Sequence, residues 1–178
     1  MPLCFLISAL VVAVDLILKY LVQTGMTVGQ SIPLIPGVLR LTYVQNRGAA
    51  FGSFSESRWV FLLLSTVMIL FLCYFLAFRK GYAHSVYISF ALMLGGGVGN
   101  MVDRVTLGYV IDYVDFCAIP AWVWVFNAAD AAICTGVALF VVYLVFMEKR
   151  ALLQGKKAIF ADEPKKGEKD KETDGTNL

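Results

Sequence analysis

Apolar residues are gathered into four long runs separated by polar connections. The clearest run covers residues 59–78 and contains no charged side chain, which at about 1.5 Å per residue matches a bilayer core of roughly 30 Å. Residues 3–22, 85–102 and 126–147 form the other runs, and the first lacks the basic segment and cleavage site of a secretory signal peptide. This pattern predicts an all-α polytopic membrane protein with four transmembrane helices, in one membrane domain covering residues 1–147.

The connection between the first two runs, residues 24–58, is mixed in polarity. Within it, residues 38–46 alternate between apolar and polar positions after a Pro-Gly turn signal, which favours a half-buried strand. Residues 148–178 form a charged segment that cannot bury enough apolar surface to fold alone. We therefore expect an extramembrane β element in the first connection and a disordered tail after the fourth helix.

Composition excludes several classes of protein. Hydrophobic residues make up 59% of the chain and charged residues 16%, whereas charged residues are about 25% of an average soluble domain. The net charge of +2 comes with no concentrated basic surface, so lipids or membrane-embedded peptides are expected as partners and nucleic acid is not. The four cysteines are scattered and the single His84 cannot complete a zinc site, so no disulfide framework, metal or cofactor is predicted.

Lysine and arginine are distributed unequally between the two ends of the predicted helices. One side carries Arg79, Lys80, Lys149, Arg150, Lys156 and Lys157, and the other carries Arg40, Arg47, Arg58 and Arg104. Because basic residues concentrate on the cytoplasmic side, this bias predicts that both termini are cytoplasmic.

Aspartates in or beside the predicted helices are candidates for function, because a charge at mid-bilayer costs about 2.5 to 3.5 kcal/mol on insertion scales. They are Asp15, Asp103, Asp112, Asp115 and Asp130. With both termini inside, a rise of about 1.5 Å per residue places most of these acids, together with Lys19 and Asn100, in the outer leaflet, and Asp112 near its boundary. A shared depth favours a common site over separate structural roles.

Helical spacing separates these acids into two groups. Asp15 can pair with Lys19 one turn later, and Asp103 stands in the same turn as Asn100 and Arg104. Asp112 and Asp130 have no basic residue in the same turn, and Asn127 stands one turn before Asp130. Two adjacent carboxyls cannot both ionise easily, so one keeps a proton while the other acts as a base, which is the requirement for aspartic proteolysis.

The residues alone leave other functions open. Intramembrane carboxylates also serve proton- or ion-coupled transporters, although the chain shows no internal repeat. The pair Asp112 and Asp115 has the D-x-x-D spacing of a metal-dependent lipid head-group transferase. A structural membrane protein would tolerate Asp to Asn changes at positions 112 and 130. A serine mechanism is disfavoured, because His84 lies on the opposite face from Ser53, Ser55 and Ser57.

Five blocks of sequence occur in a specific order between residues 10 and 147. They are VDLILK at Val14 to Lys19, which holds Asp15, QNRGAAFG at Gln45 to Gly52, GGGVGNMVDR at Gly95 to Arg104, GYVIDYVDF at Gly108 to Phe116, and FNAAD at Phe126 to Asp130. In these blocks the chain resembles the bacterial prolipoprotein signal peptidase (signal peptidase II) family.

The resemblance implies an aspartic endopeptidase of the bacterial inner membrane that cleaves signal peptides just before a diacylglyceryl-modified cysteine. By position in the motifs, Asp112 and Asp130 correspond to its catalytic pair, with Asp115 as the rival to Asp112. Other motif residues would orient the pair, hold the fold or contact substrate: Asp15, Lys19, Asn46, Gly48, Asn100, Asp103, Arg104 and Asn127. The resemblance also implies a small extracytoplasmic β-cradle and a short helix in the first loop, covering a site near the extracytoplasmic face.

Overall fold

The computed structural model describes residues 2–48, 58–118 and 124–161. Its elements in chain order are α1 (Pro2–Gly25), β1 (Ser31–Ile35), β2 (Leu39–Asn46), α2 (Arg58–Phe78), α3 (His84–Thr106), β3 (Val110–Phe116), β4 (Val125–Phe126) and α4 (Ala128–Ala161). Residues 49–57 of the first connection, in which a short helix was expected, lie outside the described residues.

Within the described parts of the chain, four helices are long and apolar enough to cross a membrane, as the hydrophobic runs predicted. Their spans are Pro2–Gly25, Trp59–Phe78, His84–Thr106 and Ala128–Met147. Large apolar side chains on these helices remain exposed, such as Leu10, Leu63 and Val141, while Asp15, Lys19 and other charged or polar side chains are buried. An apolar exterior around a polar interior suits a protein whose surroundings are lipid.

Glycine allows α3 to pack closely against its neighbours. A Cβ atom added at Gly95 would lie 2.7 Å from the backbone oxygen of Ser8 in α1, and one at Gly99 would lie 2.5 Å from Asp15 Oδ2. Gly96 faces the backbone of Ala129 in α4. The G-x-x-x-G stretch is therefore a packing surface that brings the polar residues of α1, α3 and α4 together.

The sheet is larger than the sequence predicted, so the description of the fold as all-α applies only to the spanning segments. β1, β2, β3 and β4 form an antiparallel sheet in that order, and β3 and β4 come from the connection between α3 and α4. Two chain segments far apart in sequence thus build one sheet. β3 has the sequence VIDYVDF, whose β-branched and aromatic residues favour an extended strand.

The fourth helix extends past its apolar part. α4 continues to Ala161, while residues 162–178 lie outside the described residues, so the disordered tail expected for residues 148–178 stays a prediction. Good helix formers, including Ala151, Leu152 and Leu153, favour this continuation. The described part of the chain divides after Val141, and every site residue considered below comes before that point.

Candidate active site

A buried lysine links two aspartates from different helices. Lys19 Nζ lies 2.7 Å from Asp15 Oδ2 and 3.0 Å from Asp103 Oδ2, and it donates a hydrogen bond of 2.9 Å to Asn100 Oδ1. The three donors of one ammonium group thus face three oxygens. The expected pairing of Asp15 with Lys19 is confirmed, and Asp103 lies against Lys19 from another helix.

The same aspartates anchor the start of α4 and the sheet. Asp15 Oδ1 accepts a hydrogen bond of 2.9 Å from the backbone N–H of Ala129, and Asp103 Oδ2 accepts one of 3.0 Å from the backbone N–H of Ile111. Because Ile111 precedes Asp112 and Ala129 precedes Asp130, the buried ion pairs fix the backbone next to both candidate carboxyls.

Asn127 immediately precedes α4 and forms two reciprocal hydrogen bonds with Asp130. Its Oδ1 accepts a hydrogen bond of 2.8 Å from the backbone N–H of Asp130, and its own backbone N–H donates at 3.3 Å to Asp130 Oδ2. This reciprocal arrangement is a capping box, with the acidic residue at the third helical position. It holds the Asp130 carboxyl beside the backbone N–H of Asn127 at the start of the helix.

Two asparagine side chains connect Asp130 to Asp112. Asn100 Nδ2 donates to Asp130 Oδ1 at 2.7 Å, while Asn127 Nδ2 donates to Asp112 Oδ1 at 2.7 Å and to Asn100 Oδ1 at 3.0 Å. The two carboxyls therefore share one chain of amides. That chain continues to Lys19 through Asn100 Oδ1.

Asn46, at the end of β2, completes the surroundings of Asp112. Its Nδ2 donates a hydrogen bond of 2.8 Å to Asp112 Oδ2, and its Oδ1 accepts one of 2.9 Å from the backbone N–H of Gly48. Gly48 has a φ of 97°, a conformation that side-chain-bearing residues rarely adopt, and a Cβ there would also lie 2.8 Å from Phe61. The turn at Gly48 thus holds the asparagine amide in the orientation that donates to Asp112.

A β-bulge decides which face of β2 carries Asn46. Arg40 pairs with Asp115 and Leu41 with Val114, but after a shift in register Val44 pairs with Asp112 and Asn46 with Val110. Without the extra residue in β2, the alternation of side chains would turn Asn46 to the face opposite Asp112.

Asp115 lies on the other face of β3, because it is an odd number of residues from Asp112. There its Oδ2 atom is 2.5 Å from Arg40 Nε and accepts a hydrogen bond of 2.8 Å from Thr42 Oγ1. The structure therefore separates the two halves of the D-x-x-D motif. It brings Asp112 toward Asp130 and directs Asp115 away.

The pKa of Asp112 is raised to about 6, first because burial disfavours the charged carboxylate. The hydrogen bonds from Asn46 and Asn127 and the positive charge of Lys19 lower this pKa, and the negative charge of Asp130 raises it. Asp112 thus keeps its proton to a higher pH than an ordinary aspartate does, as the acid of an acid–base pair requires.

Arg104 contacts both its own helical turn, as its spacing from Asn100 predicted, and Phe61 of α2. Its guanidinium carbon lies 5.7 Å from the centre of the Phe61 ring, and its Nη1 donates a hydrogen bond of 3.3 Å to the backbone oxygen of Asn100. Arg104, Asn46, Gly48 and Phe61 line one small cavity. Arg104 is thus close to the Asp112 side of the site.

Two residues of the site, Phe61 and Tyr113, were not predicted from the sequence. Phe61 packs against Gly48 and Arg104, and the hydroxyl oxygen of Tyr113 accepts a hydrogen bond of 3.2 Å from the backbone N–H of Ala128 at the start of α4. Burial raises the pKa of Tyr113 to about 12, so the phenol stays neutral. Strand alternation predicts that Tyr113 lies on the other face of β3 from Asp112. It does not predict the contact of Tyr113 with α4.

The ten residues selected from the sequence are thus linked by direct contacts into one site. Among the described residues, no group of three or more histidine, cysteine, aspartate or glutamate side chains is arranged to hold a metal ion.

Comparison with known proteins supplies independent information. Residues 7–146 match the family model described as signal peptidase (SPase) II. A lipoprotein signal peptidase of Halothermothrix orenii is 41% identical over 145 residues, covering 82% of this chain and 97% of the relative. One from Clostridioides difficile is 36% identical over 146 residues, covering 82% of this chain and 97% of that relative.

Solved structures agree in fold. A structure described as a bacterial membrane enzyme at 2.3 Å resolution has a TM-score of 0.74 and 32% identity, covering 82% of this chain and 88% of the other. A second structure, with the same description at 1.9 Å resolution, has a TM-score of 0.75 and 31% identity, and the match covers 81% of this chain and 93% of the other.

Proposed function

The chain belongs to the signal peptidase II family, and from this premise we propose that Asp112 and Asp130 are the catalytic pair of an aspartic endopeptidase. Membership in the family makes the protein a multi-pass bacterial membrane peptidase that cleaves signal peptides from prolipoproteins. The observation that carries the catalytic assignment is the amide bridge between the two carboxyls, in which the Asn100 side chain donates to Asp130 and the Asn127 side chain donates to Asp112 and to Asn100.

In the proposed mechanism, the pair shares one proton. Asp112 holds that proton, because burial and the charge of Asp130 raise its pKa. Asp130 lies in the first turn of α4, where the positive end of the helix dipole stabilises a carboxylate, and it removes a proton from water. The water oxygen attacks the scissile carbonyl, while Asp112 gives its proton to the developing oxyanion. As the C–N bond breaks, Asp130 gives the proton it took from water to the leaving amine, and the hydroxyl of the tetrahedral intermediate returns its proton to Asp112, which restores the pair.

The supporting residues have distinct tasks in this proposal. Asn46, Asn100 and Asn127 orient the carboxylate oxygens through hydrogen bonds that fix which lone pairs face the substrate. Lys19 balances the charges of Asp15 and Asp103, which hold the backbone beside the pair. Gly48 fixes the amide of Asn46, and Arg104 is available to contact the substrate near Asp112.

We propose that the substrate is a diacylglyceryl-modified prolipoprotein, cut just before the lipidated cysteine, which enters from the bilayer. An apolar cavity of about 380 Å³ lies between α2, α3 and α4 and is lined in part by Met68, Gly97 and Ile133. Gly97 precedes Asn100 by one helical turn, and Ile133 follows Asp130 by one turn. An apolar substrate segment in this cavity would therefore lead directly to the carboxyl pair.

The proposed topology follows from the charge bias of the connections. Both termini lie in the cytoplasm, the site lies near the extracytoplasmic face, and residues 1–147 form the peptidase domain. The insertion at residues 24–58 would act as an extracytoplasmic β-cradle, since it contributes Asn46 to the site. A short helix in the first loop would complete the cover, and membrane lipids would surround the four helices.

The decisive experiment is cleavage of a diacylglyceryl-modified prolipoprotein by the purified full chain. Wild type should cut in the presence of a chelator, and Asp112→Asn and Asp130→Asn should each lose at least about 1000-fold in rate, since acid–base groups contribute up to about 10⁴-fold. Asp115→Asn, a buried aspartate on the same strand, is the matched control and should keep measurable activity. Near-normal activity of Asp112→Asn or of Asp130→Asn would refute the catalytic assignment.

A further inference from the structure

Asp115 is a buried acid for which the proposed chemistry has no use. It is 6% exposed, and a single carboxylate oxygen binds both Arg40 Nε and Thr42 Oγ1 of the neighbouring strand. The Thr42 hydroxyl also lies 2.8 Å from the Ser31 hydroxyl of β1. A polar chain thus crosses three strands of the sheet on the face opposite Asp112.

These contacts lie directly beside the β-bulge. Arg40 and Thr42 come just before or within the shifted segment of β2, and Val44 resumes pairing opposite Asp112. A slip of one residue between β2 and β3 would exchange the two faces of β2. It would separate Arg40 from Asp115 and, by the same movement, turn Asn46 away from Asp112.

We propose that Asp115 is a positioning residue, which binds Arg40 and Thr42 to fix the register of β2 on β3 and thereby holds Asn46 where it donates to Asp112. This inference rests on the proposed role of Asp112 in catalysis. Asp115 itself touches neither the carboxyl pair nor the proposed water, so its effect reaches the reaction only through Asn46.

The proposal has an electrostatic consequence. The hydrogen bond from Asn46 lowers the pKa of Asp112, so loss of the register should raise it. The other groups acting on Asp112 come from different elements: Asp130 and Asn127 at the start of α4, Lys19 on α1 and Arg104 on α3. None of them belongs to β2, so a change at Asp115 should leave their contributions in place.

A double-mutant cycle tests the pathway. Asn46→Ala should lower kcat/KM by about 10- to 150-fold, which is the contribution of a hydrogen bond to a charged group. Asp115→Ala should lower it by about 10-fold or more, and Asp115→Asn, which keeps one acceptor for β2, by less. If Asp115 acts through Asn46, the double variant should be within about 2-fold of Asn46→Ala alone, because coupled residues are non-additive. Losses that multiply would overturn the proposal.

The pH profile separates positioning from a general loss of folded protein. Asn46→Ala and Asp115→Ala should both move the descending limb of kcat/KM to higher pH. Ser31→Ala is the matched control, because it removes a hydroxyl contact with Thr42 but leaves Arg40 on Asp115, and its limb should stay at the wild-type value. An unshifted limb in both test variants would overturn the proposal.

A disulfide cross-link between β2 and β3 reports their register without the need for a substrate. In a chain whose native cysteines are replaced by alanine, cysteines introduced at Gln45 and Ile111 face each other in the observed register and should cross-link. Asp115→Ala, which removes both contacts with β2, should reduce the yield, and an unchanged yield would overturn the proposal. If wild type fails to cleave the substrate, the catalytic assignment fails, and the cross-link still decides whether Asp115 fixes the register.

Discussion

Asn127 combines a structural and a chemical role in one side chain, and two substitutions can separate them. Its Oδ1 caps α4 by accepting from the Asp130 N–H, while its Nδ2 donates to Asp112. Asn127→Ala removes both functions. Asn127→Ser keeps a good capping oxygen but cannot supply the amide donor at the same time.

The expected magnitudes follow from the two kinds of contact. Loss of a helix cap costs about 1 kcal/mol of stability, so Asn127→Ala should unfold more easily than Asn127→Ser by about that amount. Loss of a hydrogen bond to a charged group costs about 1.5 to 3 kcal/mol. If the bond is needed in the transition state, both variants should lose about 10- to 150-fold in kcat/KM, at about 1.4 kcal/mol for each factor of ten.

The assay combines thermal unfolding of each purified variant in detergent with cleavage of a diacylglyceryl-modified prolipoprotein below the unfolding temperature. The reasoning requires that stability separates the variants while activity does not. It would be refuted if Asn127→Ser cleaved at nearly the wild-type rate, or if the two variants lost equal stability.

Three further outcomes follow from the site. The wild-type profile of kcat/KM should descend near pH 6, because above the pKa of Asp112 the pair loses its single proton, and a flat profile across this value would contradict that role. Lys19→Met should destabilise the protein by about 3 to 5 kcal/mol in thermal unfolding, since it leaves Asp15 buried without its cation, and an unchanged transition would count against the buried ion pair. Gly99→Ala should lower the stability by about 1 to 3 kcal/mol, because its Cβ would lie 2.5 Å from Asp15 Oδ2. Gly97→Ala is the control, because its Cβ would meet nothing closer than 3.6 Å. Equal stability of the two variants would be inconsistent with this packing.

The sequence by itself determined the features that depend on local spacing. A run of apolar residues of bilayer length is sufficient to identify a spanning helix, because the unpaired backbone of any other structure would be too costly in lipid. The pairing of Asp15 with Lys19 follows from one helical turn. The spacing of Asn127 and Asp130 also gave their shared helical face, and the ordered motifs gave the family.

Only the tertiary structure decided which distant residues meet. Asn46 reaches Asp112 across 66 positions of sequence, and Asp15 reaches the start of α4 across 114. Lys19 forms an ion pair with Asp103 on another helix, whereas the sequence placed Arg104 in the same turn as Asp103. The face on which Asn46 lies depends on a one-residue bulge, and alternation along β2 alone assigns the opposite face. Strand register and helix packing are set by the summed contacts of the whole fold, so no local pattern could have specified these contacts.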